Sequence, residues 1–352
     1  MKIKYLGHSQ RVGNFSILFT CAGRRTYLLK YFKEQLAGDG KVLGADMQLS
    51  APALSEADIK VQVPAVYADN YIDVVLTACK EHHVDILISL NDLELPILAD
   101  AKNRFEYLGV KVVVSSPEVI DLCFDKYKTA QWAESIGLNA PRTFVRLADA
   151  KEALAVGEIN FPLFIKPRWG SGSIGLETVD DMEELEIYYH LLFKKVKKTI
   201  LSEVSVGDEY ILIQEKLTGK EFGLDVINNL EGNHVAVSVK QKLAMRAGET
   251  DKAVTVDLPE VREIGAAIGR NLKHIGNLDV DIMQRANGDY CILELNPRFG
   301  GGFPFSYEAG VNLPKAIIEW VKGNKVAASM LTPQYGKMFA KCDYLVEVRS
   351  EQ

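Results

Sequence analysis

Residues 278–302, LDVDIMQRANGDYCILELNPRFGGG, constrain the fold more than any other stretch. Two apolar runs, 280–283 and 290–295, flank a polar turn holding Asn287 and Gly288. Asn-Gly between apolar runs predicts a β-hairpin, because the tight turn needs positive backbone φ values. Side chains alternate along a strand, so Glu294 and Asn296 project to one side, and Asp281 on the facing strand can reach that side. Two carboxylates and an amide oxygen on one sheet face form an oxygen-only donor set, suited to Mg²⁺ rather than zinc. The plainer alternative is a two-stranded sheet with an acidic solvent face. Pro297 stops the second strand, Arg298 sits beside the acids, and three glycines let backbone approach a ligand.

The chain around this hairpin has 352 residues, enough for about two or three domains. A formal charge of −6 argues against a general nucleic-acid binder, whose footprint is a basic excess. No apolar run reaches the roughly 20 residues of a membrane span. The N-terminus lacks the basic, apolar and cleavage pattern of a secretory signal. The five cysteines, Cys21, Cys79, Cys123, Cys291 and Cys342, are widely spaced and form no CxxC pair. Reduced, mostly buried thiols in a cytoplasmic protein are expected, with a catalytic thiol as the alternative.

Apolar runs at 15–20, 41–46, 60–63, 85–90 and 111–115 alternate with helical patterns at 26–36, 71–81 and 93–103. This alternation predicts a doubly wound, mostly parallel sheet. Its first turn offers only Gly23, so the GxGxxG fingerprint is missing and Asp46 is not expected to hold a nicotinamide ribose. Ligands of such a sheet sit beyond its strand carboxyl ends, here near Gly23 and residues 91–94, whose alternative role is loop capping. Residues 116–137 read as one long helix from Pro117 to Gly137, with Lys126 and Lys128 near its middle. Short strands at 143–145, 161–166, 174–178 and 210–214, with a charged helix at 182–199, predict a small α+β unit. Beyond it lie strands in KEFGLDVIN and HVAVSVKQK, a helix over 261–275, the hairpin, and a helix over 313–321.

Two further stretches carry chemistry. In FPLFIKPRWGSGSIG, 161–175, a strand ends at Lys166 and a Gly/Ser loop follows. Small residues let successive N–H groups fold over a phosphate chain while the lysine supplies charge. The Walker pattern is absent, and a flexible hairpin is the alternative. In YILIQEKLTGKEFGLDV, 210–226, backbone groups at Lys216 and Leu217 could bond a flat base edge and Glu221 could accept from ribose hydroxyls. A salt-bridged strand end is the alternative there. Residues 240–250 could add a basic group, Arg246, or form a surface loop.

Taken together, DKYKTAQWAESIGLNAPRTF, FPLFIKPRWGSGSIG, IQEKLTGKEFGLDV and the hairpin with its glycines resemble, in order, the motifs of ATP-grasp enzymes, nearest to the carbamoyl-phosphate synthase large-subunit type. The resemblance runs to about residue 320 and implies an α/β and α+β chain. A Rossmann-like pre-ATP-grasp domain, 1–115, would precede a two-lobed ATP-grasp module, its lid at 116–213 and its floor at 214–352. It implies that Lys126 and Lys166 contact ATP phosphates beneath a lid loop of Gly170, Ser171, Gly172 and Ser173. Glu215, Lys216 and Leu217 match the adenine hinge, and Glu221 the ribose acid. Asp281, Glu294 and Asn296 match the metal positions, for Mg²⁺ or alternatively Mn²⁺. Relatives often carry Glu or Gln at the first of these. Arg298 matches an arginine near the transferred phosphate or substrate carboxylate and, with Lys166, is the catalytic candidate. Family members typically phosphorylate a carboxylate, and an amine then displaces phosphate. The expected partners are therefore small-molecule carboxylates and amines, not nucleic acid or membrane, and a homodimer is one expected assembly. Full carbamoyl-phosphate synthesis is not expected from one such module. A kinase-like or carboxylating variant and an inactive nucleotide-binding regulator are the alternatives.

Overall fold

Strand–helix alternation at the N-terminal end builds a largely parallel sheet. A computed structural model describes residues 15–170, 175–199 and 209–348. Within them the chain forms two compact units, one of 15–88, 103–112 and 346–348, the other of 89–102 and 113–345. The first holds β1 (Phe15–Thr20), α1 (Thr26–Leu36), β2 (Gly40–Asp46), β3 (Ile59–Gln62), α2 (Tyr71–Glu81), β4 (Ile86–Ser89), the end of α3 (Leu95–Tyr107), and β5 (Lys111–Val112). The sheet order is β3-β2-β1-β4-β5, with β1/β2, β2/β3 and β4/β5 parallel. Continuous apolar strands suit a sheet covered on both faces, and Ile17, Leu18, Phe19, Val42 and Leu43 are wholly buried. At the turn after β1, Gly23 adopts φ +54° and its N–H donates to Asp46 Oδ2 at 2.9 Å. Asp46 therefore braces the turn, which accounts for an acid at the end of β2.

The second unit continues with α4 (Pro117–Phe124), α5 (Lys126–Ser135), β6 (Thr143–Phe144), α6 (Leu147–Ala155), β7 (Leu163–Pro167), β8 (Glu177–Val179), α7 (Met182–Val196) and β9 (Ile211–Glu215). The expected single helix over 116–137 breaks at Asp125. That carboxylate accepts from the N–H groups of Tyr127 and Lys128, which makes it the N-cap of α5. A side-chain acceptor competing for backbone donors starts a new helix there. Lys126 thus stands in the first turn of α5, not in mid-helix. Antiparallel strands β6-β9-β7-β8 pack on α6 and α7 over a core including Leu163, Ile165, Leu185 and Ile213.

A larger antiparallel sheet follows, ordered β14-β13-β10-β11-β12-β15. Its members are β10 (Glu221–Asn228), β11 (His234–Arg246), β12 (Glu249–Thr255), β13 (Gly276–Gln284), β14 (Tyr290–Asn296) and β15 (Met338–Ala340). Helix α8 (Pro259–Leu272) covers one face, and α9 (Phe303–Glu308) and α10 (Leu313–Val321) come later. Residues 240–250 are no loose loop but the end of β11 turning into β12. Gly265 lets α8 lie close, since a Cβ there would stand 2.8 Å from Val237 Cγ1. All five cysteines are free thiols, with Cys79, Cys123 and Cys291 buried. Among the described residues no helix is long and apolar enough to cross a membrane.

Candidate active site

Strand register assembles the site. Glu294, Asp281, Gly223 and Lys240 stand opposite one another across β14, β13, β10 and β11. Two residues along, Asn296, Asp279, Asp225 and Ser238 form a second row. The row between them, Leu295, Val280, Leu224 and Val239, turns to the opposite face and is buried in the core against α8. The period of two thus separates a polar face from an apolar one on the same strands. A register shift after Asp281 leaves Leu293 as the extra residue, so Ile282 and Ile292 still reach the core while Asp281 meets Glu294.

Charge on this face is dense and mostly paired. Lys242, 6% exposed, bridges Glu221 Oε1 and Asp281 Oδ1 at 2.7 Å each. Burial pulls its pKa down, but the two acids outweigh that and raise it. Lys240 and Asp225, both wholly buried, pair at 2.5 Å, and Asp225 also accepts from Ser306 Oγ at 2.5 Å and Asn277 Nδ2 at 3.0 Å. Arg298 donates from Nη2 to Asp92 at 2.8 Å and from Nη1 to Asp279 at 3.4 Å, and these acids hold its pKa up against burial. Burial, then the charge of Asp281, pushes the Asp279 carboxyl up to about 6 against the pull of Arg298.

Lys166 reaches the same region from β7. Its ammonium donates to Gln214 Oε1 at 2.8 Å, and its pKa is lowered to about 8 by burial and by Lys126, with Glu294 opposing. Lys126 donates to the Gly170 carbonyl, and both residues line one cleft with Glu294, Asn296 and Asp92. Ser171, Gly172 and Ser173 lie outside the described residues. The adenine-hinge candidates are less converged. Glu215 accepts from Arg142 N–H at 3.1 Å and pairs with Arg285 at 2.7 Å, as a salt-bridged strand end would. Lys216 donates to Thr178 Oγ1 at 3.2 Å, and Leu217 is buried. Arg246 lies on the exposed end of the β11–β12 hairpin, paired with Asp343 and Asp251 at 2.5 and 3.0 Å. Lysines 240 and 242 are the bases that β11 brings to the polar face.

The donor set tests well against a hard divalent cation. Asp281, Glu294 and Asn296 bring oxygens together from facing strands, with Asp281 Oδ1 held by Lys242 at 2.7 Å. Among the described residues no three His, Cys, Asp or Glu side chains form a metal-binding cluster. Mg²⁺ needs no such cage, because it takes one or two carboxylates and keeps several waters. The paired charges missed in the sequence, Asp225, Lys240, Lys242 and Asp279, share one legible signal. Each lies two residues from another polar-face position, as in Glu221-Phe-Gly223-Leu-Asp225 and Asp279-Val-Asp281. Of residues 91–94, Asn91 caps its own turn through Leu93 N–H at 3.0 Å and Glu94 accepts from Ser89 Oγ at 2.5 Å, whereas Asp92 goes to Arg298.

Residues 17–113 match the family model described as PylC-like, N-terminal domain, and residues 208–340 match ATP-grasp in the biosynthetic pathway with Ter operon. The chain is similar to the carbamoyl phosphate synthase large chain of Campylobacter jejuni, at 24% identity over 223 residues, covering 60% of this chain and 19% of that protein. Similarity to the large chain of Bifidobacterium animalis is 27% over 236 residues, covering 63% and 20%. The chain therefore spans about one fifth of the length of these curated relatives. Its fold is similar to biotin carboxylase from Campylobacter jejuni, with TM-score 0.72 and 18% identity over 90% of this chain and 73% of that one. It is also similar to an L-amino acid ligase from Bacillus licheniformis, with TM-score 0.68 and 22% identity over 92% and 79%. An N5-carboxyaminoimidazole synthetase from Staphylococcus aureus gives TM-score 0.66 and 16% identity over 90% and 79%. Residues 208–340 thus match an ATP-grasp domain, and residues 17–113 ahead of them match a PylC-like N-terminal domain.

Proposed function

We propose that the protein is an ATP-dependent carboxylate–amine ligase. One observation carries the reading: Lys126 and Gly170 share a single cleft with Glu294 and Asn296, and Lys166 feels the charge of both Lys126 and Glu294. A cation from α5 and one from the smaller sheet thus stand near oxygen donors of the larger sheet, the arrangement a magnesium-bound triphosphate requires. Asp281, Glu294 and Asn296 would hold Mg²⁺, Lys126 and Lys166 the phosphates, and Glu221 the ribose. Mg·ATP supplies a phosphoryl group that makes a carboxylate reactive toward an amine. Around it, Lys166 stabilises negative charge, Arg298 orients the carboxylate, and the loop of Gly170, Ser171, Gly172 and Ser173 excludes water. Glu215, Lys216 and Leu217 would line the base, once Glu215 shares or releases Arg285. The division into a sheet domain to residue 115, a lid lobe to 213 and a floor lobe beyond belongs to the same reading.

Release of ADP and phosphate, followed across carboxylates with and without added amines, tests it. Ligation predicts phosphate release that depends on both substrates; dependence on bicarbonate alone would indicate carboxylation instead. Glu294→Gln, isosteric but uncharged, is expected to lower Mg²⁺-dependent turnover about 100-fold or more while far-UV circular dichroism stays unchanged. Unchanged turnover in that variant would reject the metal assignment.

A further inference from the structure

Two ammonium groups aimed at one phosphate chain repel each other while no phosphate lies between them. Lys126 and Lys166 come from separate segments, α5 and β7, and burial and then the charge of Lys126 lower the pKa of Lys166. Their chain neighbours carry the opposite arrangement. Asp125 precedes Lys126, Arg168 lies two residues beyond Lys166, and this acid and this base join the same two segments by attraction. The guanidinium grips the carboxylate two-pronged, Nε at 2.9 Å from Oδ1 and Nη2 at 2.8 Å from Oδ2. Asp125 is 2% and Arg168 12% exposed, so salt and water screen the pair little. Backbone closes the same join, because Lys126 N–H donates to the Arg168 carbonyl at 3.3 Å and Lys126 Nζ to the Gly170 carbonyl.

Arg168 itself has little to offer a phosphate. Nη1 donates to Glu209 at 3.0 Å, so all three guanidinium nitrogens already serve carboxylates. The group also lies over the Tyr127 and Trp169 rings, at 5.3 and 4.9 Å from their centroids. We propose that Arg168 is a positioning residue: clamped on Asp125, it holds Lys126 beside Lys166 at the spacing a phosphate chain bridges, a role resting on the phosphate contacts of the ligase reading. The fork matters as well as the charge, since two parallel hydrogen bonds fix direction along with distance. Arg168→Lys keeps the opposite charges and loses that alignment. Asp125→Asn keeps a side chain able to cap α5 and loses the ionic grip.

A double-mutant cycle with Lys126→Met tests this, read by calorimetric titration of the full chain with magnesium adenylyl imidodiphosphate, an uncleaved ATP analogue. Lys126→Met alone is expected to weaken binding about 10-fold or more. Arg168→Lys should weaken it about 10-fold in the wild-type background but about twofold or less beside Lys126→Met, because its effect passes through that lysine. Asp125→Asn should follow Arg168→Lys in both backgrounds. A general disturbance of the fold, or a direct phosphate contact by Arg168, would persist without Lys126, so equal losses in both backgrounds overturn the proposal. Wild-type affinity in Arg168→Lys overturns it too. Wild-type affinity in Lys126→Met overturns it together with the phosphate assignment. If Arg168→Lys does not fold, the Asp125→Asn cycle decides alone. A coupled cycle in a protein that releases no ADP with any carboxylate and amine upholds the clamp and overturns the ligase reading. ADP release that needs both substrates, with an additive cycle, does the reverse.

Discussion

Lys166 shows how one side chain can cost the folded protein stability while standing where the proposed phosphate contact needs a cation. Burial and Lys126 lower its pKa from 10.5 to about 8, so the folded state holds the proton less tightly than the unfolded state. For a depressed pKa, stability is greatest above 10.5, falls as pH drops toward 8, and stays reduced below that. Lys166→Met is therefore expected to raise the stability of the ligand-free protein at pH 7 by about 1–3 kcal/mol, a gain that fades between pH 8 and 10.5. Urea unfolding across that range checks it, and a variant less stable than wild type at pH 7 would contradict the burial argument. The same variant should bind Mg·ADP more weakly, and wild-type affinity should decline above about pH 8 as the ammonium deprotonates. Lys240 behaves differently because its partner is buried with it. Lys240→Met leaves Asp225 charged and enclosed, at an expected cost of about 3–5 kcal/mol. Adding Asp225→Asn should recover most of this in denaturant melts while keeping the bonds to Ser306 and Asn277. No recovery would show that the pair contributes more than mutual neutralisation.

At the scale of elements, the six-stranded sheet does two jobs because its strands alternate. One face packs Leu224, Val239, Val280 and Leu295 beneath α8, and the other carries the charged rows. Close approach of α8 depends on Gly265, where propensity and packing pull in opposite directions. Alanine would gain about 1 kcal/mol of helix propensity. Its Cβ would meet Val237 at 2.8 Å and Leu224 at 3.0 Å, and such overpacking costs about 1–3 kcal/mol. Gly265→Ala is expected to be net destabilising, and a higher melting temperature in that variant would show that α8 can shift away from the sheet. The break between α4 and α5 follows the same logic in reverse. Asp125 gives up helix continuity, takes Arg168 Nη2 at 2.8 Å, and sets Lys126 at the start of a helix.

For the whole molecule, every proposed nucleotide and metal contact that is described belongs to the second unit, and the parallel strands β1–β3 belong to the first. Mg·ADP at about 100 times its dissociation constant adds about 2.7 kcal/mol to the stability of whatever it binds. Hydrogen exchange should therefore slow in β7, β9, β13 and β14 and remain unchanged in β1–β3; slowing confined to β1–β3 would place the nucleotide elsewhere. The hairpin was readable from Asn287-Gly288 between apolar runs, and the parallel sheet from strand–helix alternation. Those patterns are local, set by turn geometry and side-chain period within a few residues. The helix break was misread because an N-cap needs only one acidic side chain, which periodicity does not register. Strand β15 escaped notice because an edge strand buries little, and β12 because the side chains it buries, Thr250, Ala253 and Thr255, are small or polar and give no apolar alternation. Sequence alone determined the hairpin, the strand–helix alternation of the N-terminal end, the motif order and the identity of Lys126, Lys166, Asp281, Glu294, Asn296 and Arg298 as candidates. Only the tertiary structure decided which charges meet: Lys242 on Glu221 and Asp281, Lys240 on Asp225, and Arg298 on an Asp92 more than 200 residues away. A charge's pKa and partner depend on what folding brings within a few ångströms, and chain order carries no record of that distance.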